Sequence, residues 1–150
     1  MSRNSDFAEE YFKNGFNCSQ AVFSAYSKQL GLEENLALKI AGGFGAGMGR
    51  IGETCGAVTG AIMVIGLRYG MTNVNDDQAR EKTYELVQEF TKRFKSIHGS
   101  VKCKDLLKYD ISIPEESKKA RDEGITKKLC PNYVRSAAEI IGDILLTDVL

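Results

Sequence analysis

Hydrophobic residues recur along most of the chain at steps of three and four, the spacing of one face of an α-helix. The clearest case runs from Asp76 to Ile97, where charged residues fill the positions between the apolar ones. No segment alternates between apolar and polar residues for long enough to indicate a β-strand. The pattern therefore predicts an all-α protein.

Helix start and stop signals divide this pattern into segments. The predicted helices are 5–14, one from Cys18 to before Gly31, 32–40, 54–69, 76–97, a turn after Cys103, one from Pro114 to before Gly124, and one from Pro131 onward. A chain of 150 residues is long enough for one compact domain. We expect a single-domain, orthogonal or bundle-like fold of about six to eight helices.

The segment 54–69 is predicted to be the buried central helix. It carries no charge before Arg68, and its apolar run is too short to cross a bilayer. Gly56 and Gly60 lie four residues apart, so their side of the helix would allow another helix to approach closely. The other helices are therefore expected to pack around this one.

A glycine-rich segment leads into the central helix. Residues 47–52 fit the pattern GxGxxG, but no strand precedes them and no acidic residue follows at the expected distance, which argues against a dinucleotide site. The backbone N–H groups of such a loop can still hold a small anion. The candidate cofactor-binding residues are Gly45, Gly47, Gly49, Arg50 and Gly56.

Composition narrows the choice of partners and compartment. Lys and Arg together number 20, as do Asp and Glu, so no overall charge favours nucleic acid or a membrane surface. The first twelve residues lack the apolar stretch of a secretory signal, and no segment is long enough for a transmembrane helix. We expect a cytoplasmic protein whose thiols are reduced at rest.

The four cysteines are all predicted at or near helix starts. Asn17 is a good N-cap for a helix that begins at Cys18, and Thr54 can cap one that begins at Cys55. Pro131 marks a helix start that would make Cys130 the N-cap. The positive end of a helix stabilises a thiolate, which makes Cys55 the candidate nucleophile. If these helix starts converge, several thiols would share one pocket.

The order of these features resembles a known family. A cysteine after Gly-Phe-Asn, a glycine-rich segment leading to Cys-Gly-Ala-x-x-Gly at 55–60, and lone cysteines at 103 and 130 resemble the C-GCAxxG-C-C family of redox-active proteins. The resemblance covers nearly the whole chain and implies a prokaryotic protein with a redox role. That family is similar to part of the split-Soret cytochromes, but this chain has no Cys-x-x-Cys-His for covalent haem.

Three hypotheses remain for the cysteines Cys18, Cys55, Cys103 and Cys130. In the first, they cycle between dithiol and disulfide, with Cys55 attacking and Cys18 resolving, as in a thiol–disulfide oxidoreductase or electron-transfer protein. In the second, all four bind an iron–sulfur cluster or zinc. In the third, they are buried structural residues of an interaction protein. The redox partner is an unidentified protein or small molecule, and the apolar and small-residue faces permit a homodimer.

Overall fold

The computed structural model describes residues 3–148, and it confirms the all-α prediction. The helices are α1 (Arg3–Lys13), α2 (Cys18–Ser27), α3 (Glu34–Ala41), α4 (Gly45–Met48), α5 (Gly56–Tyr69), α6 (Asp77–His98), α7 (Cys103–Leu107), α8 (Pro114–Asp122) and α9 (Ile125–Asp148). Over 3–148, the only extended pairing is an isolated antiparallel bridge between Thr54 and Lys102. No helix in that range is long and apolar enough to traverse a lipid bilayer.

Local signals explain where most helices begin. Asp76 caps α6 by accepting the N–H of Ala79 at 3.0 Å, and Pro114 is the first residue of α8, as predicted. The helices α1 and α3 are shifted by one or two residues from the predicted segments. Such shifts are expected where the flanking residues offer several competing caps.

The central helix α5 is buried as predicted, and it crosses α2 at very short range. A Cβ atom on Gly60 would lie 2.7 Å from the backbone oxygen of Ser19, and one on Gly56 would lie 3.0 Å from Cys18 Cβ. Only glycine fits at these two positions, because any side chain would collide with the backbone or Cβ of α2. The small residues of α5 therefore set how closely the first cysteine approaches the start of this helix.

Helices α1 and α9 pack against each other and against α2. The hydroxyl group of Tyr26 donates a hydrogen bond of 2.7 Å to the backbone oxygen of Ala138, which ties α2 to α9. The guanidinium group of Arg135 on α9 contacts the carboxylates of Asp6 and Glu9 on α1. These contacts fix the position of α9 relative to α2.

The 22-residue helix α6 covers α5 and α9 with one face only. Phe90 and Phe94 are fully buried, whereas Tyr84 is exposed to solvent. Ile97, which continues the apolar spacing, was expected to be buried but is 62% exposed. The neighbouring residue His98 instead packs against the rings of Phe94 and Tyr133, so Ile97 lies outside the packed face of α6.

The glycine-rich segment forms a left-handed helical turn rather than an open loop. Ala46, Gly47, Met48, Gly49 and Arg50 have φ values of 53°, 66°, 69°, 66° and 72°. Left-handed helical geometry costs about 1–2 kcal/mol for each non-glycine residue, so the alternating glycines reduce the cost of this turn. The remaining strain is held by the contacts that surround the turn.

Candidate functional site

The start of α2 places the first cysteine as predicted. The side chain of Asn17 accepts the N–H of Gln20, and the side chain of Gln20 accepts the N–H of Asn17, both at 2.9 Å, which forms a capping box. The amide group of Asn17 also donates to the backbone oxygen of Gly42 at 3.1 Å. Cys18 is thus the first residue of a well-capped helix that is anchored to the glycine-rich segment.

The start of α5 differs from the prediction by one residue. Cys55 itself is the N-cap, and Gly56 is the first helical residue, so Thr54 does not cap this helix. The N–H of Cys55 donates to the backbone oxygen of Val101 at 2.7 Å, next to the bridge between Thr54 and Lys102. Thr54 is held in this bridge, which leaves Cys55 as the residue where the chain turns into the helix.

The same bridge brings Cys103 beside Cys55. The N–H of Cys103 donates to the backbone oxygen of Glu53 at 2.5 Å, and that of Lys104 donates to Gly52 at 3.1 Å. Cys103 is the first residue of the short helix α7, in agreement with the prediction. Two cysteines that are distant in sequence therefore lie on paired backbone segments.

Of the candidate cofactor-binding glycines, Gly45 and Gly47 lie at very close contacts. A Cβ on Gly45 would lie 2.4 Å from Asn17, and one on Gly47 would lie 2.8 Å from Cys103 Cβ. The N–H of Gly49 donates to Gly45 and that of Glu53 donates to Gly47, so these two groups are not free to bind an anion. Arg50 is exposed at the end of the turn.

Cys130 is not at a helix start, so its predicted position was wrong. Helix α9 begins at Ile125, more than one turn before Pro131, and Cys130 lies inside it. Proline within a helix leaves the carbonyl group of the preceding turn without its usual donor, and here that carbonyl belongs to Lys127. Packing of α9 against the rest of the molecule outweighs this local cost.

All four cysteines line one cavity of about 190 Å³. Each is buried, with exposed fractions of 8% for Cys18, 5% for Cys55, 7% for Cys103 and 8% for Cys130. Among the residues that the structure describes, no charged residue lines this cavity. Its other lining residues are Phe12, Asn17, Ala46, Gly47, Gly56, Leu106, Leu107, Ile111, Thr126 and Tyr133.

The wall of the cavity includes Tyr133 and the leucines of α7, which the sequence analysis did not assign to the site. The hydroxyl group of Tyr133 donates to the backbone oxygen of Leu106 at 2.9 Å, which joins α9 to α7. Burial raises the pKa of Tyr133, so its hydroxyl group stays protonated. The apolar spacing of α9 placed Tyr133 inward, but nothing in the sequence indicated that it faces the cysteines.

At Cys55, burial has a larger effect on the pKa of the thiol than the position at a helix start. The backbone N–H groups of Ala57 and Val58 at the start of the helix favour the thiolate, but burial raises the pKa of Cys55 to about 11. Burial likewise raises the pKa of Cys103 to about 12. The expectation of a low pKa at Cys55 was therefore wrong. Loss of solvent destabilises the thiolate by more than the two N–H groups stabilise it.

Cys18 and Cys130 form a hydrogen-bonded pair of thiols. Donation from Cys18 lowers the pKa of Cys130, and the same hydrogen bond, together with burial, raises the pKa of Cys18. The thiol with the most stable thiolate is therefore Cys130, which the sequence did not single out. This pair joins α2 to α9, two helices that lie near opposite ends of the sequence.

Four thiols around one cavity are also a ligand set that suits zinc or an iron–sulfur cluster. In the side-chain positions found over residues 3–147, no three Cys, His, Asp or Glu residues are placed to hold a metal ion. Binding of a metal by these four cysteines would therefore need their side chains to move closer together.

The fold and the site define a small all-α protein with a buried centre of four cysteines. The chain belongs to the C-GCAxxG-C-C family, whose model matches residues 16–144 and whose description is "Putative redox-active protein". This match confirms the resemblance seen in the sequence and is consistent with a redox role. No curated protein and no solved structure matches the chain.

Proposed function

We propose that this protein is a thiol-based redox protein in which Cys18 and Cys130 interconvert between a dithiol and a disulfide. The observation that carries this proposal is that both thiols line one buried cavity, where their interaction lowers the pKa of Cys130 and raises that of Cys18. Oxidation joins the two Sγ atoms and releases two electrons and two protons to an acceptor. Reduction by a donor reverses these changes.

The pKa values assign different roles to the two cysteines. Thiolates are the attacking form, and the hydrogen bond from Cys18 lowers the pKa of Cys130. Cys130 is therefore the attacking residue and Cys18 the resolving one. This assignment replaces the sequence-based hypothesis in which Cys55 attacks. Cys55 and Cys103 remain protonated at neutral pH and complete the wall of the cavity.

A second candidate function is the binding of zinc or an iron–sulfur cluster by all four thiolates. It is favoured by the number of cysteines at the cavity, because a two-electron dithiol cycle needs only two of them. Thiolates are the ligands that both zinc and iron–sulfur clusters accept in sets of four.

One preparation separates these functions. Protein purified without air is assayed for iron, zinc and acid-labile sulfide, and is then equilibrated in mixtures of reduced and oxidised dithiothreitol. Remaining thiols are alkylated, and peptides are mapped by mass spectrometry. We expect a reversible loss of two thiols and a peptide pair linked through Cys18 and Cys130.

Matched variants assign the pair. Cys55→Ser and Cys103→Ser should keep the two-thiol transition, whereas Cys18→Ser and Cys130→Ser should abolish it. One equivalent of metal with four protected thiols would instead support the second candidate. Four thiols that react only in denaturant, at every ratio of dithiothreitol, would leave the cysteines with a structural role.

A further inference from the structure

The size of the cavity limits what can reach the cysteines. Its volume is about 190 Å³, close to that of engineered cavities of about 150 Å³ that hold a single benzene molecule. The four cysteines are between 5% and 8% exposed. A disulfide held on the surface of another protein could not approach them unless the helices separated. The reacting molecule is therefore small.

The wall of the cavity also limits the charge of that molecule. Over residues 3–147, no Lys, Arg, Asp, Glu or His side chain lines it. Among the polar lining groups, the Asn17 amide is bonded to Gln20 and Gly42, and the Tyr133 hydroxyl is bonded to Leu106. Moving an ion into such a site costs several kcal/mol or more without a compensating partner. The cavity therefore favours an uncharged molecule.

We propose that the oxidant of this site is a small, uncharged hydroperoxide, such as hydrogen peroxide or a short alkyl hydroperoxide. This inference rests on the proposed dithiol–disulfide function of Cys18 and Cys130 and names the acceptor of its electrons. A hydroperoxide leaves a single oxygen atom on the attacked sulfur. A disulfide oxidant would instead leave half of its own molecule bonded to Cys130 as a mixed disulfide, inside the cavity that Cys18 also lines.

The reaction balances in two steps. The Cys130 thiolate attacks the terminal oxygen of the hydroperoxide, so an S–O bond forms, the O–O bond breaks, and the alkoxide leaves as the alcohol with the proton that Cys130 gave up. Cys130 is oxidised to the sulfenic acid and the peroxide is reduced. Cys18 then attacks Cys130 Sγ, so the S–S bond forms, the S–O bond breaks, and the hydroxyl group leaves as water with the Cys18 proton.

Contact between the two sulfurs favours this sequence of steps. Because Cys18 donates its hydrogen bond to Cys130, the resolving sulfur already lies next to the atom it must attack. A sulfenic acid on Cys130 would therefore be short-lived in the native protein. It should accumulate when Cys18 is replaced by a residue that can donate a hydrogen bond but cannot form a disulfide.

The test compares oxidants of different size and charge on the full chain. Reduced protein is mixed without air with hydrogen peroxide, tert-butyl hydroperoxide, bis(2-hydroxyethyl) disulfide or glutathione disulfide. Formation of the Cys18–Cys130 link is followed by quenched alkylation and mass spectrometry. Each rate constant is divided by that of N-acetylcysteine with the same oxidant at the same pH. We expect the normalised rates for both hydroperoxides to exceed those for both disulfides at least tenfold.

The variant Cys18→Ser should gain the mass of one oxygen atom on Cys130 after hydrogen peroxide, and Arg80→Gln, whose side chain is not part of the cavity wall, should form the disulfide like the native protein. A normalised rate with either disulfide that equals or exceeds that with hydrogen peroxide would overturn the proposal, as would stable oxygen addition at Cys55 or Cys103. The comparison of the native rates stands even if a variant does not fold. If hydroperoxides fail while the dithiothreitol titration still yields the Cys18–Cys130 disulfide, only the choice of oxidant is wrong.

Discussion

Two opposing effects act on the pKa of the Cys55 thiol at the start of α5. The backbone N–H groups of the first turn favour the thiolate of Cys55, while burial favours the neutral thiol and raises its pKa to about 11. The position at a helix start therefore does not make Cys55 reactive. At neutral pH, its alkylation should be slower than that of an exposed cysteine, because only the thiolate attacks.

This balance predicts how stability depends on pH. An unfolded cysteine loses its proton near pH 9, whereas folded Cys55 keeps it until about pH 11. Between these values the unfolded state binds fewer protons than the folded state, so the free energy of unfolding of the reduced protein falls as pH rises. For one proton, the slope is at most about 1.4 kcal/mol per pH unit. Urea unfolding from pH 8 to pH 11 measures it.

In the variant Cys55→Ala, the free energy of unfolding should fall less steeply with pH, because the contribution of Cys55 to the slope is gone. Ser19→Ala is the matched control, since Ser19 is fully buried at the same helix crossing and does not titrate. Its stability should shift by a similar amount at every pH, leaving the slope unchanged. Equal slopes in the native protein and Cys55→Ala would contradict the raised pKa.

The crossing of α2 and α5 decides how close two helix starts can come. It depends on Gly60, where a Cβ would lie 2.7 Å from the backbone oxygen of Ser19. Gly66 lies on the same helix, but it is exposed and a Cβ there would meet nothing within 4 Å. A side chain would therefore disturb the helix packing at Gly60 but not at Gly66, although both glycines lie within the same uninterrupted helix.

Alanine at these two glycines should change stability in opposite directions. Gly60→Ala should lower the free energy of unfolding by about 1–3 kcal/mol, because α2 and α5 must move apart. Gly66→Ala should raise it by up to about 1 kcal/mol through better helix propensity. Urea midpoints with unchanged m-values would measure both effects. Similar losses in the two variants would argue against the close crossing.

Across the whole molecule, the site depends on α9 being held against α1 and α2. The guanidinium group of Arg135 bonds to Glu9 at 2.7 Å and also contacts Asp6 and Glu139, and these carboxylates raise the pKa of Arg135. The Arg135 side chain is 38% exposed, so solvent weakens each of these ion pairs. Together they fasten the helix that carries Cys130 to the first helix of the chain.

Removing this network should have an effect that depends on salt. Arg135→Gln should lower the free energy of unfolding by about 1 kcal/mol at low ionic strength and by less in 1 M salt, where exposed charges are screened. Arg80→Gln is the control, because Arg80 forms an ion pair with Asp77, whose side chain is 80% exposed, and a 3.3 Å hydrogen bond to the backbone oxygen of Val74. Its change should be close to zero. A salt-independent loss at Arg135 would show that packing, rather than charge, holds α9.

Much of the fold could be predicted because helix formation is largely local. The start of α2 follows from the short-range pairing of Asn17 with Gln20, and the buried central helix follows from a run without charge before Arg68. The all-α class and the family follow from the same local patterns. The start of α9 could not be predicted from Pro131, because tertiary packing outweighed the local proline signal.

The sequence by itself thus determined the helices, the capping of Cys18 and the set of four cysteines. Only the tertiary structure decided that Cys130 lies against Cys18, that Cys103 lies beside Cys55, and that all four line one uncharged cavity. The physical reason is the distance along the chain over which each interaction acts. Caps and helix periodicity act within a few residues, whereas desolvation and thiol pairing depend on neighbours brought together from distant parts of the chain. For the same reason, the reactivity of each thiol could not be deduced from its position at a helix start.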